Sequence, residues 1–297
     1  MHSNYRFLIG GLAGFLGFAS ALNMFCIGPI VPLIIQDYDV SNTKAGLLTS
    51  IVFLVHVVFA IPASTLVGRV GLKTIIALSG LMGSVPLLSF MIADSFNALL
   101  ATRAIFGAGF ILLLPAVGPL FLQWFSPREL PFINGGFLAS VSLGIAASNF
   151  LVAPLSEAVG WNIALSVFGG VSMLSVATWL LFGRAETDPV YEESRSTIVR
   201  LREVITSPIT LLVVAADAGP LALLTAFLGW MPNFYHEVHG MSLAKGGALM
   251  GILSFAGFVA LLIASALQVR FHRRRPFLIV PGVVTGFAAL ACIMLSD

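Results

Sequence analysis

Two charged side chains, Arg103 and Asp217, stand deep inside long apolar runs, and they are the residues best placed to do chemistry. A charge near the middle of a bilayer costs at least about 2.5 to 3.5 kcal/mol, so it persists only with a partner or in a wet cavity. Arg103 lies about seven residues to one side of the centre of its run and Asp217 about four to the other side of its own, roughly 16 Å apart along the membrane normal at about 1.5 Å per residue. That is too far for a salt bridge between straight helices. Arg103 therefore calls for a water-filled cavity, an anion or backbone carbonyls. Asp217, beside Gly219-Pro220, calls for proton coupling or a local hydrogen bond.

Other polar groups share this depth. His56 in the second run is either a packing histidine or a proton carrier. Asn149 in the fifth run sits at a depth similar to Arg103, where it lines the same site or bonds between helices. No nucleophile stands at helical spacing from a base, which argues against an enzyme. The two cysteines, Cys26 and Cys292, fall inside apolar runs, so neither a disulfide framework nor a metal or cofactor site is legible.

These groups are held by a chain that is 58% hydrophobic and 9% charged over 297 residues, with a mean hydropathy of +1.02, and such a chain is an all-α polytopic membrane protein. A net charge of +2 gives no footing for nucleic acid. The first apolar run extends from Phe7 to Ile35, beyond the roughly 7 to 15 residues of a secretion signal, and reads as a retained first helix.

Nine runs are long enough to cross a bilayer, at about 7–35, 43–67, 74–93, 97–124, 132–157, 161–183, 208–235, 244–269 and 277–295. One long charged linker divides them, giving a six-helix unit over 1–183, a linker over 184–206 and three helices over 207–297. Twelve of the fifteen Lys and Arg residues fall on one side, with Lys44 and Lys245 on the other and Arg103 between. That bias predicts a cytoplasmic N-terminus in a multi-pass protein of the cell membrane. Tyr5, Trp124, Trp161 and Trp230 lie near run ends, where an aromatic belt belongs.

Ser41-Asn42-Thr43-Lys44-Ala45-Gly46, at the start of the second run, returns as Ser242-Leu243-Ala244-Lys245-Gly246-Gly247 at the start of the eighth, an offset of 201. The same offset carries Arg69 and Lys73 onto Arg270 and Arg274. Runs seven to nine thus read as a repeat of runs one to three. A second six-helix unit would need three more runs, so the chain reads as truncated after Asp297.

The turn Ser64-Thr65-Leu66-Val67-Gly68-Arg69-Val70-Gly71-Leu72-Lys73 resembles the G-x-x-x-D-R-x-G-R-K loop of the major facilitator superfamily. Arg69, Gly71 and Lys73 match; Ser64, Gly68 and Leu72 depart. Arg103-Ala104-Ile105-Phe106-Gly107-Ala108-Gly109 is similar to the family's fourth-helix R-x-x-x-G-x-G pattern, and Gly229-Trp230-Met231-Pro232-Asn233-Phe234-Tyr235 to its cyanate and nitrate porter branches. The resemblance implies the major facilitator fold, as a complete six-helix N-terminal half plus the first three helices of the C-terminal half. It implies a cavity lined by helices one, four, seven and ten, with Arg103 and Asn23 as substrate-binding residues, to which depth alone adds Asn149. Asp217 and His56 become proton-coupling candidates, and Arg69, Gly71, Lys73, Arg270 and Arg274 the gating loops.

The fifth helix carries Gly144-Ile145-Ala146-Ala147-Ser148-Asn149 in place of the antiporters' G-x-x-x-G-P, which favours symport or uniport over drug/proton antiport. The expectation is a secondary transporter moving a small anionic or polar solute by alternating access. Its partners would be the solute, a proton as coupling ion and the lipid bilayer; it would work as a monomer, without cofactor or nucleic acid. A non-transporting scaffold or sensor is the other class.

Overall fold

The structure, a computed structural model, describes residues 4–91, 95–185 and 206–271, together with residues 280, 283, 284 and 287. The described elements are helical: α1 (Tyr5–Met24), a 3-10 turn (Gly28–Ile30), α2 (Val31–Tyr38), α3 (Asn42–Val70), α4 (Leu72–Gly83), a second 3-10 stretch (Val85–Phe90), α5 (Phe96–Trp124), α6 (Leu130–Val159), α7 (Trp161–Phe182), α8 (Pro208–His239) and α9 (Leu243–Phe271). Seven stretches among the described residues are long and apolar enough to cross a membrane. The expected linker over 184–206 and the ninth run lie almost wholly outside the described residues. Arg6, Arg69, Lys73, Arg128 and Arg184 mark one end of the bundle, called here the basic end; Asp39, Lys44, Gly160 and Gly240 mark the far end.

The first run is not one helix. α1 stops at Met24, and the chain passes through Phe25–Ile27 and the 3-10 turn before α2 begins. Pro29 and Pro32 are the cause: neither has an N–H to donate one turn back, and each ring crowds the carbonyl four residues earlier. The third run breaks in the same way, α4 giving way to a 3-10 stretch with Pro86 in its first turn. Elsewhere the ends follow local chemistry. The Ser41 hydroxyl accepts from the Lys44 N–H at 3.2 Å and Ser95 from Ala98 at 3.3 Å, each capping the helix that follows.

Two joints are a single residue long. Gly71 ends α3 and starts α4 with φ 88° and ψ 146°; Gly160 ends α6 and starts α7 with φ 90° and ψ 147°. Both adopt a mirror-extended conformation that only glycine takes up without strain. The joints lie 89 residues apart, and that same offset lays α3 on α6 and α4 on α7. Gly71 is at the basic end and Gly160 at the far end, so spans one to three and four to six form an inverted repeat.

Lipid supplies no hydrophobic drive between helices, so close approach falls to small residues. Gly107 lets α5 meet the backbone of α3 at Val52, and Gly109 lets it meet α4 at Ser79 and Met82. Gly10, Gly14 and Gly17 seat α1 against Ile133, Ser140 and Phe137 of α6. One apolar cluster fills the basic half around Ile75, Leu120 and Trp179; another fills the far half around Ile30, Leu48 and Phe168. A third joins the first six spans to α8 and α9 through Phe25, Val52, Phe106, Leu228 and Met250.

Gly160→Ala forces an L side chain into the mirror-extended region and sets its Cβ 3.0 Å from Asn162 Oδ1. It is expected to cost about 1 to 3 kcal/mol, read as a lower unfolding midpoint in detergent. Gly136→Ala, where an added Cβ meets nothing within 4 Å, should leave the midpoint in place.

Candidate functional site

Arg103 sits one turn before Gly107 on α5, and the glycine's contact with Val52 draws the arginine across α3 to the broken end of α1. Its Nε donates to Leu48 O on α3 at 3.2 Å, Nη1 to Asn23 O at 2.7 Å and Nη2 to Met24 O at 2.9 Å. Asn23 and Met24 are the last residues of α1, whose carbonyls lose their helical partners at the break. They also carry the negative end of the helix dipole. The guanidinium is 2% exposed, its carbon lies 5.1 Å from the Phe106 ring centre, and the Cys26 Sγ donates to the same Asn23 carbonyl at 3.0 Å. Of the partners the sequence left open for this charge, the structure displays backbone carbonyls.

The other expected site residues do not converge on the guanidinium. Asn23 reaches it only through its main chain. Its Nδ2 donates to Ala19 O at 3.0 Å, and to Phe168 O and Ser172 Oγ on α7 at 2.9 Å each. Asn149 donates to Ile145 O on its own helix at 2.9 Å, leaving its Oδ1 without a partner. His56 on α3 is half-buried, stacked on Phe110 at 5.3 Å with the edge of Phe53 at 5.9 Å, and its Nε2 is buried without a partner. Asp217 falls within α8 and Arg270 within α9, at positions whose side chains are not described; Arg274 lies outside the described residues.

Arg69 and Lys73 flank the Gly71 joint and are exposed. Among the described residues, the acidic group paired at this end is Glu129, which is taken by Arg6, with Nη1 3.0 Å from Oε1. Glu129 also accepts from the Ser126 N–H at 3.0 Å and the Ser126 hydroxyl at 2.8 Å. These two bonds, and then the Arg6 charge, hold its carboxyl below the ordinary carboxylate range. Neither Arg6 as the partner of Glu129 nor Cys26 beside Arg103 was singled out from sequence. The signal for the second was the Pro29/Pro32 pair that breaks the helix carrying Cys26.

α8 and α9 meet the first six spans toward the far end. A Cβ added at Gly28 would lie 2.6 Å from Leu228 O and 3.1 Å from Gly229 O; one added at Gly46 would lie 2.9 Å from the Trp230 ring. Gly247 abuts Asn149 O and the Pro29 ring, and Gly251 abuts the Phe150 ring. Toward the basic end the picture reverses. Leu228 is 0% exposed, yet the four residues Leu221–Leu224 earlier on α8, which point to every face of the helix, are all exposed, as are Val57–Pro62 of α3. Among the described residues, α8 is seated on the first six spans at Leu228–Trp230 and is exposed over Leu221–Leu224.

Comparison with known proteins places these features in context. Residues 13–297 match the family described as the Major Facilitator Superfamily. A probable nitrate transporter of Staphylococcus carnosus is 24% identical over 55% of this chain and 42% of its own length. A nitrite extrusion protein of Bacillus subtilis is 23% identical over 79% of this chain and 57% of its own length. The chain spans about half the length of these two relatives. The crystal structure of a D-xylose-proton symporter superposes with a TM-score of 0.58 over 90% of this chain and 70% of its own, at 14% identity, a likeness of fold.

At the basic end, the carboxyl of Glu129 titrates lower in the fold than its ordinary value of 4.5. The stability it adds is therefore full above that value and is lost as pH falls through the depressed one. Glu129→Gln is expected to lower the unfolding midpoint at pH 6 and to converge on the parent as pH is taken below about 4, measured by thermal unfolding across that range.

Proposed function

The chain belongs to the Major Facilitator Superfamily, and from that premise we propose that the whole protein is a secondary transporter that carries a small anion across the cell membrane by alternating access. One observation carries the reading: α8 is seated on the first six spans at the far end, and its described side chains are exposed toward the basic end. The excess of Lys and Arg assigns the basic end to the cytoplasm, so this conformation is open inward and closed outward. The names of two relatives, which refer to nitrate and nitrite, support an anion as the solute.

In this reading the roof of the inward opening is the buried apolar cluster that includes Met24, Phe25, Val52, Phe106, Ile145, Leu228 and Met250. An anion there needs a positive charge, and the Arg103 guanidinium is sealed off and committed to carbonyls. His56 supplies one when protonated. Its ring is bracketed by Phe53 and Phe110, both packed on that roof, and Nε2 has no partner. An imidazolium in that bracket has no counter-charge among the described residues, so proton and anion would each improve the binding of the other, which is the condition for symport. Asp217, on α8, is the second candidate for the proton.

Nitrate uptake into proteoliposomes holding the whole protein tests this. An inside-alkaline gradient is expected to drive accumulation by the parent. His56→Gln, which can neither titrate nor carry the charge, should lose accumulation by about tenfold or more and slow downhill exchange as well. Accumulation by His56→Gln equal to the parent would move the proton to Asp217, and then Asp217→Asn should abolish it. Absence of flux for nitrate and nitrite alike would remove the anion reading.

A further inference from the structure

Arg103 holds carbonyls on two separate arms, and both arms lead to α8. On the first, Met24 is four residues before Gly28, which packs on the carbonyls of Leu228 and Gly229. On the second, Leu48 is two residues after Gly46, which packs on the ring of Trp230. Three consecutive residues of α8, Leu228–Trp230, thus rest on two glycines whose arms are pinned by one side chain. Across Phe25–Ile27 the first arm is not helical, and its backbone is tied only by Phe25 N–H to Ala21 O at 3.4 Å and Ile30 N–H to Ile27 O at 3.0 Å, so its backbone alone fixes Gly28 weakly. The glycines leave no side chain to adjust, since a methyl group at Gly28 would meet the Leu228 oxygen at 2.6 Å. The seat is right only if both arms are held at one spacing.

We infer that Arg103 is a positioning residue for the far-end closure: its guanidinium fixes the two arms that form the socket for Leu228–Trp230, and it does not touch the solute. This rests on the alternating-access reading of the fold. The geometry explains why the position needs arginine. A planar fork places Nε toward Leu48 and the two Nη toward Asn23 and Met24, three directions that a single ammonium on a flexible stem cannot hold together. It also explains how an intramembrane charge sits at 2% exposure without an acidic partner among the described residues.

The test is cysteine accessibility in membranes carrying the full chain, with Cys292→Ser and the buried Cys26 left in place. Two reporters are compared with a membrane-impermeant maleimide: Leu228→Cys in the socket and Ile75→Cys in the basic-half core, both 0% exposed in the parent. Arg103→Met is expected to raise labelling of the Leu228 reporter about fivefold or more and to leave the Ile75 reporter unlabelled; a rise of fivefold is about 1 kcal/mol in the opening equilibrium. Arg103→Lys should give an intermediate rise of about twofold. No change at Leu228 in either variant overturns the inference, and so does an equal rise at both reporters, which would mark a general loosening. If Arg103→Met fails to accumulate, Arg103→Lys decides alone by the same two readings. The readout needs no solute, so a failure of nitrate transport and a failure of this assignment are separate results.

Discussion

A guanidinium in a membrane interior and a broken helix in a membrane interior are each unfavourable alone, one for want of acceptors and the other for want of donors. Here each satisfies the other. The proline-driven stop of α1 frees the carbonyls of Asn23 and Met24, and Arg103 arrives from α5 with the donors they need. The remaining bond, to Leu48 on α3, makes the exchange three-cornered. The break can therefore stay broken, and the first span can turn its upper arm toward α8. The contact of Gly107 with Val52 brings that exchange within reach, and the burial of Cys26 and the seating of Gly28 follow from it.

Around it the bundle is built from matched parts. α3–α4 and α6–α7 are joined by single glycines of almost identical φ and ψ at opposite ends. A joint of one residue leaves no slack, so each pair behaves as a unit whose tilt is set by packing along its whole length. Two further contacts hold the halves at the far end, Gly247 on Asn149 and Gly251 on Phe150. Backbone meets backbone or ring in these places, and such contacts are sensitive to displacement because a steep repulsion lies immediately inside them. At the far end, then, α8 and α9 are seated on the first six spans through glycines, while α8 is exposed over Leu221–Leu224.

Much of this was legible in the sequence because hydropathy decides helices in lipid almost unaided. Eight of the nine runs coincide with described helical segments to within a few residues, and the family resemblance carried by Arg69, Gly71, Lys73 and the Arg103–Gly109 stretch is confirmed by the match across residues 13–297. The break in the first run was passed over, because Phe25–Ile27 is as apolar as its flanks and only Pro29 and Pro32 betray it. The partners of Arg103 were unnameable in principle. They are main-chain oxygens, which every residue carries, so no side-chain type announces them. Asn23 was placed with the cavity by its run alone, whereas its side chain bonds toward α7, a matter of rotation about the helix axis that a continuous apolar run does not encode. The tie of Glu129 to Arg6 spans 123 positions, beyond any local pattern.

The start of the chain closes this account. Tyr5 donates to the carbonyl of Phe182 across a separation of 177 residues, and its ring also carries the Arg184 guanidinium, 4.5 Å from the ring centre, while packing against Trp124. During synthesis the first span therefore leaves the ribosome long before its own anchor exists. At about 5 to 20 residues per second the wait is roughly 9 to 35 s. Its unladdered arm has no arginine until α5 is made, and its glycine face has no mate until α6 follows. Biogenesis thus has to shelter an unfinished first helix until the sixth arrives, and the insertion machinery, more than the bilayer, is the first environment in which this helix must be stable.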